Sequence, residues 1–370
     1  MKIIADKNIP FIRGVLEPWA DVEYYEGSRI NNDILAGADA LIVRTRTRCD
    51  KTLLQGSGIK FIGSATIGTD HIDLEWCREN GIRCCSAPGC NSGSVMQYVA
   101  SVLAYFVLEH GIKPDGTTLG LIGVGNVGSK VAEMARVLGY NVLLNDPPRE
   151  RMEGKGEFSP LKRVLAESDI ISIHVPLTYE GPDKTYQMVN EALISKMKDH
   201  AIFINTSRGQ VADERALMSG LAKKSPRSAV IDVWRNEPAI NADLLKAVEL
   251  ATAHIAGYSL DGKAKGTMMV IRQLAGHFSL PLADWEPKSV PLPSNPLIDI
   301  SAFAGSDDEI ISGAIVQTYS VVKDSEKLKK NPASFEKLRN DYPPRREFHA
   351  YRVKGKNELI LNKLRALGFM

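Results

Sequence analysis

Short apolar runs of strand length recur through the start of the chain, at Lys2 to Ala5, Val22 to Tyr25, Ala40 to Arg44, Lys60 to Gly63 and Ile82 to Ser86. Between them lie polar or helically periodic stretches, Asn31 to Ala38 and Ile72 to Asn80. Runs that alternate with helical patterns predict a parallel α/β unit with crossover helices. The longest apolar stretch, Val95 to Leu108, is interrupted by Gln97, Ser101 and two tyrosines. It falls short of the roughly 20 residues that span a bilayer, so it reads as a buried helix from Ser94 to Glu109.

The alternation then resumes, with strand candidates at Leu119 to Val124, Asn141 to Asn145, Ile170 to Val175, Ala201 to Asn205, Ala229 to Val233 and Ala251 to Ile255. Helical periodicity runs from Val131 to Leu138, and helix starts follow Ser159-Pro160, Asn190 and Asp213. Six strands match a full doubly wound sheet. A helix from Thr267 to Phe278 precedes a segment carrying Pro281, Pro287, Pro291, Pro293 and Pro296, which predicts an extended linker. Beyond it, helical patterns at Asp307 to Lys323, Ser334 to Arg339 and Lys356 to Leu367, with a strand at Phe348 to Val353, predict a small α+β module. No internal repeat is evident.

The first strand of the second series ends in GVGNVG, with Gly123, Gly125 and Gly128 ahead of the helical stretch. Such spacing has a physical reason at each glycine: a tight turn at Gly123, close approach of a diphosphate at Gly125, and close helix packing at Gly128. The diphosphate would rest on the helix N-terminus beside Asn126 and Val127, where free N–H groups and the helix dipole favour an anion. Asp146 closes the next strand, where a carboxylate accepts hydrogen bonds from ribose hydroxyls and repels a 2′-phosphate. The cofactor expected is therefore NAD rather than NADP.

Composition narrows the partners. With 46 basic and 44 acidic residues, the chain has no general attraction to nucleic acid or membrane. Lys2 and Asp6 bracket an apolar run too short for a secretory signal, so the mature protein is expected to begin here, in the cytoplasm. Five cysteines, Cys49, Cys77, Cys84, Cys85 and Cys90, lack zinc-like spacing, which predicts reduced structural thiols and no metal site. Cys84 and Cys85 are adjacent on a strand and should face opposite ways.

Three strand ends carry polar groups in order: Asn205-Thr206-Ser207-Arg208-Gly209, Asp232-Val233-Trp234-Arg235-Asn236-Glu237, and His254-Ile255-Ala256-Gly257-Tyr258. Oxidising a secondary alcohol needs a base for the hydroxyl proton and a cation for a substrate carboxylate. His254 suits the first task because imidazole titrates near neutrality. Arg208 suits the second through its planar fork, and Glu237 would orient the imidazole.

These motifs, with Ser64-Ala65-Thr66-Ile67-Gly68-Thr69-Asp70-His71, resemble the D-isomer-specific 2-hydroxyacid dehydrogenases over residues 1 to about 280. The resemblance implies an α/β fold with two doubly wound parallel-sheet domains, a flavodoxin-like substrate domain and a Rossmann NAD domain, plus the C-terminal α+β module. Boundaries of 1–93 with 256–285, 94–255, and 286–370 follow. It also implies Arg208, Glu237 and His254 as the catalytic set, with Thr206, Ser207, Asp232 and Gly257 near the cofactor. Ala253 stands where the family commonly has proline, and Arg235 where it often has an acid. Both departures bear on loop rigidity more than on chemistry.

Asp146-Pro147-Pro148-Arg149, the run from His254 to Thr267 and the C-terminal extension look closer still to one member acting on a phosphorylated hydroxyacid, whose extension mediates homodimerisation. In that member the positions of Thr45, Thr66 and Tyr258 contact substrate. A phosphate needs a second anion site, and Arg44, Arg46 and Arg48 would share one side if the strand continued through them. Arg345 and Arg346 are a further candidate pair, reaching into a partner subunit's site. Two rival readings stand beside this one: a phosphoglycerate or hydroxypyruvate dehydrogenase of the same family, and an NAD-sensing interaction protein that keeps the fold.

Overall fold

Five parallel strands build the first sheet: β1 (Lys2–Asp6), β2 (Asp21–Tyr25), β3 (Ala40–Val43), β4 (Phe61–Ser64) and β5 (Arg83–Cys85), in the order β2-β1-β3-β4-β5. That is the flavodoxin-like order. The inner strands β1, β3 and β4 are apolar on both faces because both are covered. Ile4, Leu41 and Ile62 pack into one cluster with Cys77 and partly buried Cys84. Ile3, Ile42 and Phe61 pack into another with Val270, Ile271 and Leu274 of the helix Leu260–Phe278, and Cys85 joins this second side. Cys84 and Cys85 thus face opposite ways, and all five cysteines are free thiols.

The computed structural model describes residues 1–370 and divides into two units, Met1–Asn91 with Ser259–Pro291, and Ser92–Tyr258 with Leu292–Met370. The second unit holds a six-stranded parallel sheet: β6 (Thr118–Ile122), β7 (Asn141–Asn145), β8 (Ile170–Ile173), β9 (Ile202–Asn205), β10 (Ser228–Ile231) and β11 (Leu250–Ala251), ordered β11-β10-β9-β8-β6-β7. An isolated parallel bridge, Leu144 to Phe158, adds the remnant of a further strand outside β7. With it the order is that of dinucleotide-binding sheets, and the chain reverses direction across the sheet between β6 and β8.

The helix Ser92–His110 is buried along most of its length because it has sheet on one side and the C-terminal module on the other. Leu103, Leu121 and Val230 share one apolar cluster with Ile311 and Ile315 of the helix Asp307–Thr318. On the opposite sheet face, Phe203 and Ile231 share a cluster with Leu328 and Phe335. The module adds its own pair of parallel strands, β12 (Leu297–Asp299) and β13 (Arg352–Lys354). No helix is long and apolar enough to cross a membrane.

Several expected elements differ. The stretch Asn31 to Ala38 forms only a single tight turn, Asp33–Leu35. Asn31 there accepts from the Ile34 N–H, while Asn32 donates to the Leu53 and Gln55 carbonyls, so side chains compete with helical bonding. The helical pattern from Asp307 breaks into Asp307–Thr318 and Val321–Lys330. Ser101 bridges the break, donating to the Tyr319 carbonyl at 2.9 Å and accepting from the Val321 N–H at 3.1 Å. The stretch Phe348 to Val353 divides into a turn, Phe348–Ala350, and β13.

Candidate active site

At the carboxyl end of β6, Gly123 has φ of 88°, and an added Cβ would lie 2.8 Å from the His174 backbone. At Gly128 a Cβ would lie 2.1 Å from the Gly123 carbonyl oxygen. Gly125 is different, since a Cβ there would meet nothing within 4 Å. The open space lies at the N-terminus of the helix Asn126–Leu138, where no side chain caps the N–H groups of Asn126, Val127 and Gly128. A hydrogen-bonding cradle with room beside it fits the diphosphate of NAD. Asp146, at the end of β7, accepts from the Val124 N–H at 2.7 Å and the Arg149 N–H at 3.0 Å, pinning the glycine turn. Arg149 in turn donates to the Val124 carbonyl oxygen. The proline-rich Asp146-Pro147-Pro148-Arg149 run is therefore the N-terminus of the helix Pro147–Glu153, and it braces the cradle.

The neighbouring strands β9, β10 and β11 deliver the three polar groups. After β9, Asn205 accepts from the Ser207 N–H and hydroxyl at 3.0 and 2.8 Å and donates to the Arg208 carbonyl at 3.2 Å. This folds Thr206, Ser207 and Arg208 into a tight turn. Arg208 donates from Nη1 to the Ser207 carbonyl at 2.9 Å. Gly209 lets this turn approach the loop after β10, because a Cβ there would sit 2.0 Å from the Trp234 carbonyl carbon.

Glu237 accepts from the Trp234 N–H through Oε1 at 2.9 Å and meets His254 Nδ1 through Oε2 at 2.7 Å. Burial pushes the Glu237 carboxyl up, but the His254 bond and charge, the Trp234 N–H and the Arg339 cation outweigh it and hold the group below its ordinary value. An ionised carboxylate can only accept, so Nδ1 carries the proton and Nε2 is the basic nitrogen.

The strand expected over Ala251 to Ile255 is shorter. β11 stops at Ala251, because Asp232 takes over the backbone that follows. Its buried carboxylate accepts from the Thr252 hydroxyl at 2.6 Å, the Ile255 N–H at 2.7 Å and the Ala256 N–H at 3.0 Å. His254, inside this loop, has φ of 55°, left-handed for a side chain with a Cβ. The Asp232 clamp holds it there, with Gly257 and Tyr258 next along the chain. Trp234 stands behind, its Nε1 donating to the Thr252 carbonyl at 2.9 Å.

In the first unit β3 ends at Val43 and the chain turns, so strand alternation does not carry through Arg44, Arg46 and Arg48. Arg44 forms a forked pair with fully buried Asp6, at 2.9 and 3.3 Å, and Arg48 pairs with Asp50 at 2.9 Å. Thr45 and Arg46 are exposed at the turn. Thr66 shares a hydrogen bond of 2.8 Å with Ser64, whose hydroxyl also meets His71 Nε2 at 3.2 Å. The expectation that Arg345 and Arg346 reach toward a partner subunit fails. Both are 6% exposed within their own chain, where Arg345 donates to the Ala256 carbonyl at 2.6 Å.

Two side chains at the site escape sequence reasoning. His174, just past β8, meets Ser172 through Nε2 at 3.0 Å and Thr206 through Nδ1 at 3.2 Å, and burial pushes its pKa down to about 3. Its only signal is a polar residue at a strand end. Arg339, from the C-terminal module, donates to the Tyr258 hydroxyl at 2.9 Å and lies 3.9 Å from Glu237. Nothing in its sequence surroundings marks it.

Comparison with known proteins bears on this arrangement. Residues 107–256 match the model of the D-isomer specific 2-hydroxyacid dehydrogenase NAD binding domain, and residues 291–368 match a domain of unknown function. An erythronate-4-phosphate dehydrogenase of Bacteroides fragilis is 46% identical over 95% of this chain and 99% of its own. One from Porphyromonas gingivalis is 38% identical over the whole of both chains. Among solved structures, D-lactate dehydrogenase from Aquifex aeolicus, complexed with NAD and lactic acid, is 26% identical with a TM-score of 0.62, covering 79% of this chain and 100% of its own.

Proposed function

Since the chain belongs to the erythronate-4-phosphate dehydrogenases, within the D-isomer specific 2-hydroxyacid dehydrogenases, we propose that it oxidises 4-phospho-D-erythronate to 2-oxo-3-hydroxy-4-phosphobutanoate in pyridoxal 5′-phosphate biosynthesis. It is an NAD-dependent dehydrogenase acting on a CH–OH group. The observation that carries the site assignment is the 2.7 Å contact between Glu237 and His254 Nδ1, which leaves Nε2 as the base.

NAD, when bound, supplies the hydride acceptor. Gly123, Gly125, Gly128 and the first turn of the helix Asn126–Leu138 would hold its diphosphate, Asp146 its ribose, and Thr206, Ser207, Asp232 and Gly257 would lie near the rest. Arg208 binds the substrate carboxylate through its fork and draws charge toward it. Neutral His254 takes the C2 hydroxyl proton at Nε2 as the C2–H bond breaks, and Glu237 stabilises the imidazolium that forms. Arg46, Thr45, Thr66 and Tyr258 are the remaining substrate contacts in this reading. Arg44 supports them from its pair with Asp6. The protein works in the cytoplasm as a homodimer formed through the C-terminal module.

Turnover of 4-phosphoerythronate, 3-phosphoglycerate and simple 2-hydroxyacids tests the substrate. Preference for either of the latter would move the chain to a sibling activity. His254→Asn should remove most turnover and keep NAD binding, whereas near-normal turnover would defeat the base assignment. Sedimentation of the full chain reads the dimer.

A further inference from the structure

The C-terminal module contacts the loop from His254 to Tyr258 at three points. Arg345, buried, donates to the Ala256 carbonyl at 2.6 Å. Tyr342 packs edge-on against Tyr258, with ring centres 6.0 Å apart at 80°, and its own hydroxyl is held by Asp324 at 2.8 Å. Arg339, on the helix Phe335–Asn340, donates from Nε to the Tyr258 hydroxyl at 2.9 Å. Its Nη1 stands 3.9 Å from Glu237 Oε2, the same oxygen that meets His254.

We infer that Arg339 is a positioning residue of the active site, through which the C-terminal module fixes Tyr258 and Glu237 for the reaction. This rests on the reading of His254 as base and Tyr258 as substrate contact. The chemistry of the two groups sets the polarity. Guanidinium can only donate, so the Tyr258 oxygen accepts and its hydrogen is turned away to donate elsewhere. Without Arg339 the hydroxyl loses the 2.9 Å bond that fixes its orientation from the C-terminal module. The same cation, 3.9 Å from Glu237 Oε2, favours the ionised carboxylate by its charge. Arg339 therefore couples the substrate-contacting tyrosine to the group that orients the base. A Lys there would keep the charge but lose the planar fork that reaches both partners.

The test compares Arg339→Met, Arg339→Lys, Tyr258→Phe, the Arg339→Met/Tyr258→Phe double variant and His254→Asn in the full-length protein. The readouts are kcat and KM for 4-phosphoerythronate, NAD affinity by titration, and Tm. Arg339→Met should lower kcat by about 10- to 100-fold, the scale of a misplaced catalytic group, with NAD affinity and Tm near those of the parent. Arg339→Lys should recover part of the loss. The double variant should lose less than the product of the two single losses, because both singles remove the bond between Arg339 and Tyr258. A twofold or smaller loss in Arg339→Met overturns the inference, as do multiplying losses in the double variant. A rise in KM with kcat kept overturns it too, since Arg339 would then touch substrate directly. A loss that tracks a fall in Tm would make the role structural only, and also overturns it. If His254→Asn stops turnover while Arg339→Met does not, positioning fails alone. If neither stops it, the assignment of the base fails.

Discussion

Asp232→Asn should unfasten the loop that carries His254. Asp232 accepts three hydrogen bonds through two buried oxygens, two of them on Oδ1 and one, from the Ala256 N–H, on Oδ2. An asparagine keeps the Oδ1 pair as neutral bonds, each weaker by about 1 kcal/mol than the charge-assisted ones. Its amide nitrogen then faces the Ala256 N–H, donor against donor, and an unsatisfied buried donor costs about 1–3 kcal/mol. Together these place the loss near 3–5 kcal/mol. The left-handed φ of 55° at His254 adds a preference for release, since that conformation costs about 1–2 kcal/mol for a residue with a Cβ. Equilibrium urea unfolding without cofactor reads the stability, and steady-state turnover reads the geometry. A shift of the imidazole by about 1 Å lowers kcat by about 100-fold. Thr252→Val, which removes one of the three donors, should fall between parent and Asp232→Asn. If Asp232→Asn stays within about 0.5 kcal/mol, the background scatter of surface changes, with kcat unchanged, the clamp does not hold the histidine.

Gly209→Ala should destabilise the second unit by about 3 kcal/mol or more, because its Cβ meets the Trp234 backbone at 2.0 Å and backbone cannot rotate away; a Tm equal to the parent's would contradict the close approach. Gly125→Ala should leave Tm unchanged, since nothing lies within 4 Å of the new carbon, yet weaken NAD about tenfold or more, equivalent to about 1.4 kcal/mol. Calorimetric titration showing parent affinity would remove the diphosphate from that space. His174 stays neutral in the folded protein down to about pH 3, whereas the unfolded chain takes up its proton below about pH 6.5. Stability tied to this group is complete above about 6.5 and falls toward pH 3 at up to about 1.4 kcal/mol per unit. His174→Gln should flatten that slope in unfolding measurements at pH 5, 6 and 7, and an unchanged slope would refute the burial argument.

The inner parallel strands were legible in the chain because their short apolar runs alternate with longer helical patterns, which length and flanking polar residues separate. The glycine turn and Asp146 were legible too, since spacing along one strand, turn and helix is local. The places of Arg208, Glu237 and His254 after the neighbouring strands β9, β10 and β11 were legible as well, because each follows a strand end, and the structure joins Glu237 to His254. Local pattern misled where side chains bonded backbone instead: at Asn31 and Asn32, at Ser101 across the broken helix, and at Asp232, which cuts β11 short at Ala251. Alternation over Arg44, Arg46 and Arg48 assumed a strand that had already ended. What no reading of spacing reaches is contact between residues far apart in the chain. Arg339 and Tyr258 are 81 positions apart, and Arg345 and Ala256 are 89. Sequence thus determined which groups are available and which strand ends present them. Only the packing of the C-terminal module on the helix Ser92–His110 decided which cations lie against the histidine loop and which are buried elsewhere, because that packing joins chain segments whose hydropathy carries no memory of one another.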